Sequence, residues 1–234
     1  MVKKKFLRFI TKLGRRHHNF VARVRNWVEY KQERVSNFEY ELRKKYLKCK
    51  NSNSMGEFYQ SYPPLHIRGM RPTLSRFKLY GIEKHLGTEK EILDIGGNTG
   101  FFSAYLSKHV KQATILEIDQ GLALVGEMLA SHEGISNMKF VNKAFLDYKT
   151  NKQYDIILSL AVHYYVGCSL DEYFKQVKKL LSKDGVLLFE THKREWENNR
   201  TDLSLIEKHF EIIESDLIDD SLGQIRKYYW CTHK

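Results

Sequence analysis

Between Glu91 and His209, five short apolar runs alternate with stretches of helical spacing, and that alternation most constrains the fold. The runs are Glu91–Ile95, Ala113–Ile118, Met138–Asn142, Tyr154–Leu160 and Val186–Thr191. Helical spacing fits Gly100–Lys108, Gly121–Ser131, Leu170–Leu181 and Thr201–His209. Strands that are apolar along almost their whole length must be buried on both faces. Interleaved with helices, they build a parallel sheet between two helical layers, a three-layer α/β sandwich. The C-terminal stretch from Phe210 has two further apolar runs joined by an Asp219–Gly223 turn and no helix between them. It predicts an antiparallel hairpin at the sheet edge.

The first apolar run ends in Asp94-Ile95-Gly96-Gly97-Asn98-Thr99-Gly100 and passes straight into a helix. No frame of this turn satisfies the G-x-G-x-x-G dinucleotide pattern. Gly96, Gly97 and Gly100 let the backbone approach a ligand with no Cβ in the way. Asn98 is the non-glycine residue that best tolerates positive φ. A turn at the carboxyl end of a parallel strand faces the crevice where such sheets bind ligands.

The pattern D-x-G-x-x-x-G, as Asp94, Gly96 and Gly100 with Asn98 between them, resembles the first motif of the class I S-adenosylmethionine-dependent methyltransferases. The resemblance extends from about Thr73 to the C-terminus. It implies a seven-stranded, mostly parallel sheet with an antiparallel C-terminal hairpin, and S-adenosylmethionine as cofactor. In that family an acidic residue ending the second strand holds the ribose, which points to Glu117 beside Ile118, with Asp119 as rival. The adenine-facing Asp of many relatives is replaced by Ala144, followed by Phe145. Asp155 opens the fourth strand, where its role is structural. Beyond that strand, His163 is the first candidate to remove the acceptor's proton, with Glu190 and His192 as second choices. A packing role for His163 is the alternative.

Upstream, "FYQSYPPLHIRGMRPTLSRF" resembles the lead-in segment of a bacterial subgroup tied to lipopolysaccharide and surface-glycan pathways. Tyr59, Gln60, Arg71 and Arg76 are its candidates, Tyr59 and the arginines for contacting the cofactor, an arginine pairing with its carboxylate.

Charge divides the chain. Residues 1–50 hold sixteen Lys/Arg against four Asp/Glu, whereas the remainder holds 23 against 24. Phe6, Phe9, Ile10 and Leu13, then Phe20, Val21, Val24, Trp27 and Val28, recur at helical spacing among those cations. The expected organisation is therefore a basic amphipathic helical extension (1–50), a lead-in segment (51–72) and a catalytic domain (73–234). A basic helix with clustered aromatics suits an anionic membrane surface; nucleic acid is the lesser reading, since no RNA-binding motif accompanies the charge.

No run approaches the ~20 apolar residues of a membrane span. The basic N-terminal stretch lacks the uninterrupted apolar core of a signal peptide. Cys49, Cys168 and Cys231 form no C-x-x-C and imply neither a zinc site nor a disulfide framework. These features predict a protein of the cytoplasm, peripheral on the inner membrane face. The acceptor is expected to be a small molecule or a sugar. The alternatives are an RNA methyltransferase using the basic arm and a cofactor-binding protein without catalysis. Oligomeric state is not encoded legibly.

Overall fold

The computed structural model describes residues 20–52, 57–191, 203–219 and 225–234. Helix α1 covers 20–31 and α2 covers Asn37–Tyr46, capped by Ser36, whose hydroxyl accepts from the Glu39 amide. Strands β1 (Phe58–Gln60) and β2 (Gly69–Arg71) form a small parallel pair in the lead-in. The sequence had no periodicity to announce this pair. Gly69 permits it: a Cβ there would lie 2.2 Å from the backbone carbon of Gln60.

The main sheet is built from β3 (Gly87–Ile95), β4 (Val110–Leu116), β5 (Met138–Val141), β6 (Tyr154–Leu160), β7 (Leu181–Glu190), β8 (Phe210–Asp219) and β9 (Ile225–His233). Its order is β5-β4-β3-β6-β7-β9-β8. The first five strands pair in parallel, and β9 joins β7 and β8 antiparallel. The expected sandwich with an edge hairpin is thus the observed one. The turn expected at 219–223 falls largely outside the described residues.

Helices α3 (Thr73–Leu79), α4 (Phe101–Leu106), α5 (Gln120–His132), α6 (Leu170–Leu180) and α7 (Leu203–His209) cover the sheet. The helix expected over Thr73–Leu86 stops at Leu79, because Gly81 adopts φ 57° and ends it in the left-handed conformation. A 3-10 turn, Ile82–His85, completes the stretch.

Alternation along the strands sorts the core. One face sends Leu93, Ile95, Ile157, Leu187 and Phe189 against Phe174 and Val177 of α6. The other sends Ile92, Ile156, Leu158, Leu188 and Trp230 against Phe77 and Phe102. A third cluster joins Leu42 and Tyr46 of α2 to Phe101 of α4 and Leu122, Val125 and Leu129 of α5. Helix α2, placed by the sequence in the basic extension, therefore shares a core with the sheet domain. Among the described residues, no helix is long and apolar enough to cross a membrane.

Candidate active site

The carboxyl ends of β3, β4 and β6 open onto a cavity of about 580 Å³. Its wall includes Tyr59, Gly96, Asn98, Glu117, Ile118, Ala144 and Phe145, seven residues that the sequence singled out. Asp94, Gly97, Gly100, Arg71 and Arg76 are not among its lining residues.

The turn is set by backbone geometry. Gly96, Asn98 and Gly100 have φ of 66°, 58° and 67°, so the expectation for Asn98 is realised. A Cβ on Gly96 would meet Val162 Cγ2 at 2.3 Å, and one on Gly97 would meet Ile115 at 2.6 Å and Asp94 Oδ2 at 2.7 Å. The Asn98 side chain closes on itself, its Oδ1 accepting from the Thr99 amide at 2.9 Å. Asp94 lies beneath, 2% exposed, and accepts from the Ser103 hydroxyl at 2.7 Å. Burial pushes its carboxyl up to about 6, against the Ser103 hydrogen bond and the charge of Arg76. Gln60, from the lead-in, accepts from the Phe102 amide at 3.0 Å and so occupies a donor at the start of α4.

Glu117 and Asp119 have separate tasks. Glu117 faces the cavity; Oε2 accepts from the Asn98 amide and Oε1 from the Asp119 amide, both at 2.9 Å. Each oxygen keeps a further lone pair for a ligand hydroxyl. Burial raises the Glu117 carboxyl above its ordinary value although both amides favour the ionised form. Asp119 is instead the N-cap of α5, accepting from Gly121 at 2.9 Å and from Asn51 at 2.8 Å. Two residues escaped the sequence reading here. Asn142 holds the strand end by donating to the Glu117 and Ile118 carbonyls at 2.9 and 3.0 Å. Gly126 of α5 brings that helix against the turn, where a Cβ would lie 2.3 Å from the Thr99 carbonyl oxygen.

The far side of the cavity comes from β5 and β6. Phe145 is 5% exposed, lines the wall, and packs 4.8 Å from the Tyr173 ring. Ala161 adopts φ 57°, a conformation unfavourable for alanine, and its amide donates to the Glu190 carbonyl at 3.1 Å. The 3-10 turn His163–Tyr165 then divides its side chains. Tyr165 lines the cavity rim, whereas His163 turns inward, its ring 4.8 Å from Phe189 and outside the lining.

Glu190, a second-choice base, is fully buried among guanidinium groups. Arg76 Nη2 approaches at 3.4 Å, Arg226 Nη1 at 3.5 Å and Arg71 Nη2 at 3.9 Å. This arrangement commits its carboxylate to ion pairs. His192 lies outside the described residues. Asp155 accepts from the Glu91 amide at 2.8 Å, the structural role expected of it.

Tyr59 links this cluster to the cavity. Its ring lies 5.9 Å from the Arg71 guanidinium, and it lines the wall with Gly96. Burial pushes the phenol up, but the charges of Arg71, Arg76 and Arg226 and a hydrogen bond with Arg71 outweigh burial and hold it below its ordinary value.

The donor set suits an adenosyl amino-acid cofactor. A glycine cradle without room for side chains flanks the wall, a carboxylate with spare lone pairs faces inward, and the volume falls within the usual range for small-molecule pockets.

Comparison with known proteins agrees. A family model described as a methyltransferase domain matches residues 66–224. A probable S-adenosylmethionine-dependent methyltransferase of Saccharomyces cerevisiae is 24% identical over 135 residues, 56% of this chain and 45% of that protein. The carboxy-S-adenosyl-L-methionine synthase of Nautilia profundicola is 23% identical over 132 residues, 56% of each chain. The chain thus spans about half the length of these relatives. Among solved structures, the N-methyltransferase NodS of Bradyrhizobium japonicum in complex with S-adenosyl-L-homocysteine has the same fold. Its TM-score is 0.59 at 14% identity, covering 85% of this chain and 99% of that one.

Proposed function

This chain belongs to the methyltransferase-domain family of S-adenosylmethionine-dependent proteins, and on that premise we propose that it methylates a hydroxyl of a small-molecule or sugar-type acceptor. The observation that carries the reading is the Glu117 carboxylate, fixed by the Asn98 amide at 2.9 Å and facing the same cavity as Gly96.

S-adenosylmethionine, when bound, supplies a methyl group on a positively charged sulfur. What remains for the protein is alignment of the acceptor and removal of its proton. Glu117 would hold the ribose hydroxyls, and the Gly96–Gly100 turn would pass along the methionine part. Ala144 and Phe145 would flank the adenine. The acceptor's oxygen would take the methyl carbon as the carbon–sulfur bond breaks with its pair kept on sulfur, S-adenosylhomocysteine would leave, and the acceptor's proton would pass to a base. Of the titratable groups on the wall, Tyr59 is best suited to take it, because the neighbouring guanidiniums stabilise a phenolate. His163, the first choice from sequence, packs against Phe189 and lies outside the lining.

The lead-in resemblance favours an acceptor from surface-glycan assembly. The test is thermal unfolding with S-adenosylmethionine, S-adenosylhomocysteine or NAD. A site for the first two stabilises by about 2.7 kcal/mol at a hundredfold excess over Kd. No shift with either would sink the cofactor assignment. Release of S-adenosylhomocysteine with RNA but with no sugar acceptor would move the acceptor class to nucleic acid.

A further inference from the structure

Helix α1 is amphipathic, but its apolar side faces away from the domain. Phe20, Val24 and Trp27, at i, i+4 and i+7, are 65%, 45% and 51% exposed, and Val21 beside them is 52% exposed. The arc turned toward the rest of the chain is small or polar. It carries Ala22 and Asn26, both buried, and Glu29. Polar contacts hold it there: Asn26 donates to the Tyr40 carbonyl at 3.3 Å, and Glu29 pairs with Arg43 and Arg68, each at 3.4 Å. Arg25 pairs with Glu57 at 3.3 Å. A helix stabilised only by its own domain would bury its apolar stripe. Here a clustered stripe of aromatic and branched side chains is left outside, which marks an interaction surface.

We propose that the outward face of α1 is a docking surface for an anionic lipid bilayer. The charge around it selects this occupant. Residues 1–28 contain nine Lys/Arg and no Asp/Glu, and residues 1–50 carry all of the net positive charge of the chain. A second copy would bring two such basic segments together and be repelled. Nucleic acid would use the cations and leave Phe20, Val24 and Trp27 in water. A bilayer with acidic headgroups takes both, the rings entering the headgroup boundary and the cations lying over the phosphates. Helix α2 follows this element, and the turn after it carries Lys50, Asn51 and Ser52 on the cavity wall. A docked α1 would therefore tether the cavity close to the membrane, where a lipid-linked acceptor would be found.

The experiment is flotation of the full chain with vesicles of phosphatidylcholine alone or with about one-third phosphatidylglycerol. The wild type is compared with a Phe20→Ser, Val24→Ser, Trp27→Ser variant, which keeps every charge. The wild type should float with the acidic vesicles only, and the variant should partition at least tenfold more weakly. Their unfolding midpoints should match, because the three side chains are exposed. Equal flotation of both proteins would reduce the effect to charge alone and overturn the proposal. So would no flotation of the wild type, or a wild-type dimer that the variant loses. Cofactor binding is read separately, so failure here leaves the methyltransferase reading standing.

Discussion

The backbone amide of Asn98 donates to Glu117 at 2.9 Å, so the residue at the left-handed position of the turn also aims the carboxylate that faces the cavity. Two strands are thereby tied together at the point where a ligand would enter. Glu117→Ala removes a charged acceptor worth about 1.5–3 kcal/mol. Calorimetric titration should show S-adenosylmethionine affinity falling by roughly ten- to a hundredfold. Affinity should also fall with acidification, since the Glu117 carboxyl protonates at a raised pH and then accepts fewer hydrogen bonds. An alanine variant with wild-type affinity would exclude Glu117 as the ribose ligand.

Gly126 sits where α5 meets the turn. Gly126→Ala places a methyl against the Thr99 carbonyl and the Phe140 ring, each at 2.3 Å. Overpacking of this kind costs about 1–3 kcal/mol, read as a lower denaturant midpoint. Cofactor affinity should drop with it, because the displaced element is the cradle itself.

The Glu190 cluster is a stability element. Glu190→Gln leaves the guanidiniums of Arg71, Arg76 and Arg226 without their shared carboxylate. Breaking a buried ion pair from one side costs about 3–5 kcal/mol, and urea unfolding should register a loss of that size. A change within error would show that other groups compensate the arginines.

Asp94 gives a pH dependence of definite sign. Its folded-state value of about 6 exceeds the ordinary 3.8. The folded chain therefore holds this proton more tightly than the unfolded chain. The associated stability is fully present below about pH 4 and is lost as pH rises through about 6. The span is about 3 kcal/mol. Asp94→Asn keeps an oxygen for the Ser103 hydroxyl and removes the titration. The stability difference between variant and wild type should move in the variant's favour from pH 4 to pH 8; a difference independent of pH would refute the raised value.

Tyr59→Phe tests the proposed proton acceptor. The ring and its packing remain, and only the phenol oxygen is lost. Turnover should fall about 10²-fold or more while S-adenosylmethionine affinity is nearly kept. The wild-type rate should also rise with pH at a value below that of a free tyrosine, a dependence the variant loses.

Much of this could be read from the chain alone. Alternating apolar runs, the glycine turn and the left-handed Asn98 are local features, set by residues within a few positions of one another. Near-continuous apolar runs also predicted which strands are buried on both faces. The choice between Glu117 and Asp119 was not local. Period 2 put both on one side; the Asn51 amide, 68 positions away, takes Asp119 beside its own cap to Gly121, while the Asn98 amide holds Glu117 at the cavity. Glu190 reads as a base until Arg71, Arg76 and Arg226 arrive from three separate elements. His163 reads as a base until its turn carries it against Phe189, outside the cavity lining.

Helix α1 shows the same division. Its spacing announced an amphipathic helix, but periodicity carries no information about which side meets the domain. Backbone conformation and burial pattern follow from short-range sterics and solvation, so the sequence determined them. Which charges pair, which carboxylate stays open and which apolar face remains outside depend on contacts between residues dozens to over a hundred positions apart. Those contacts exist only once the sheet has set its register, and the tertiary structure alone decided them.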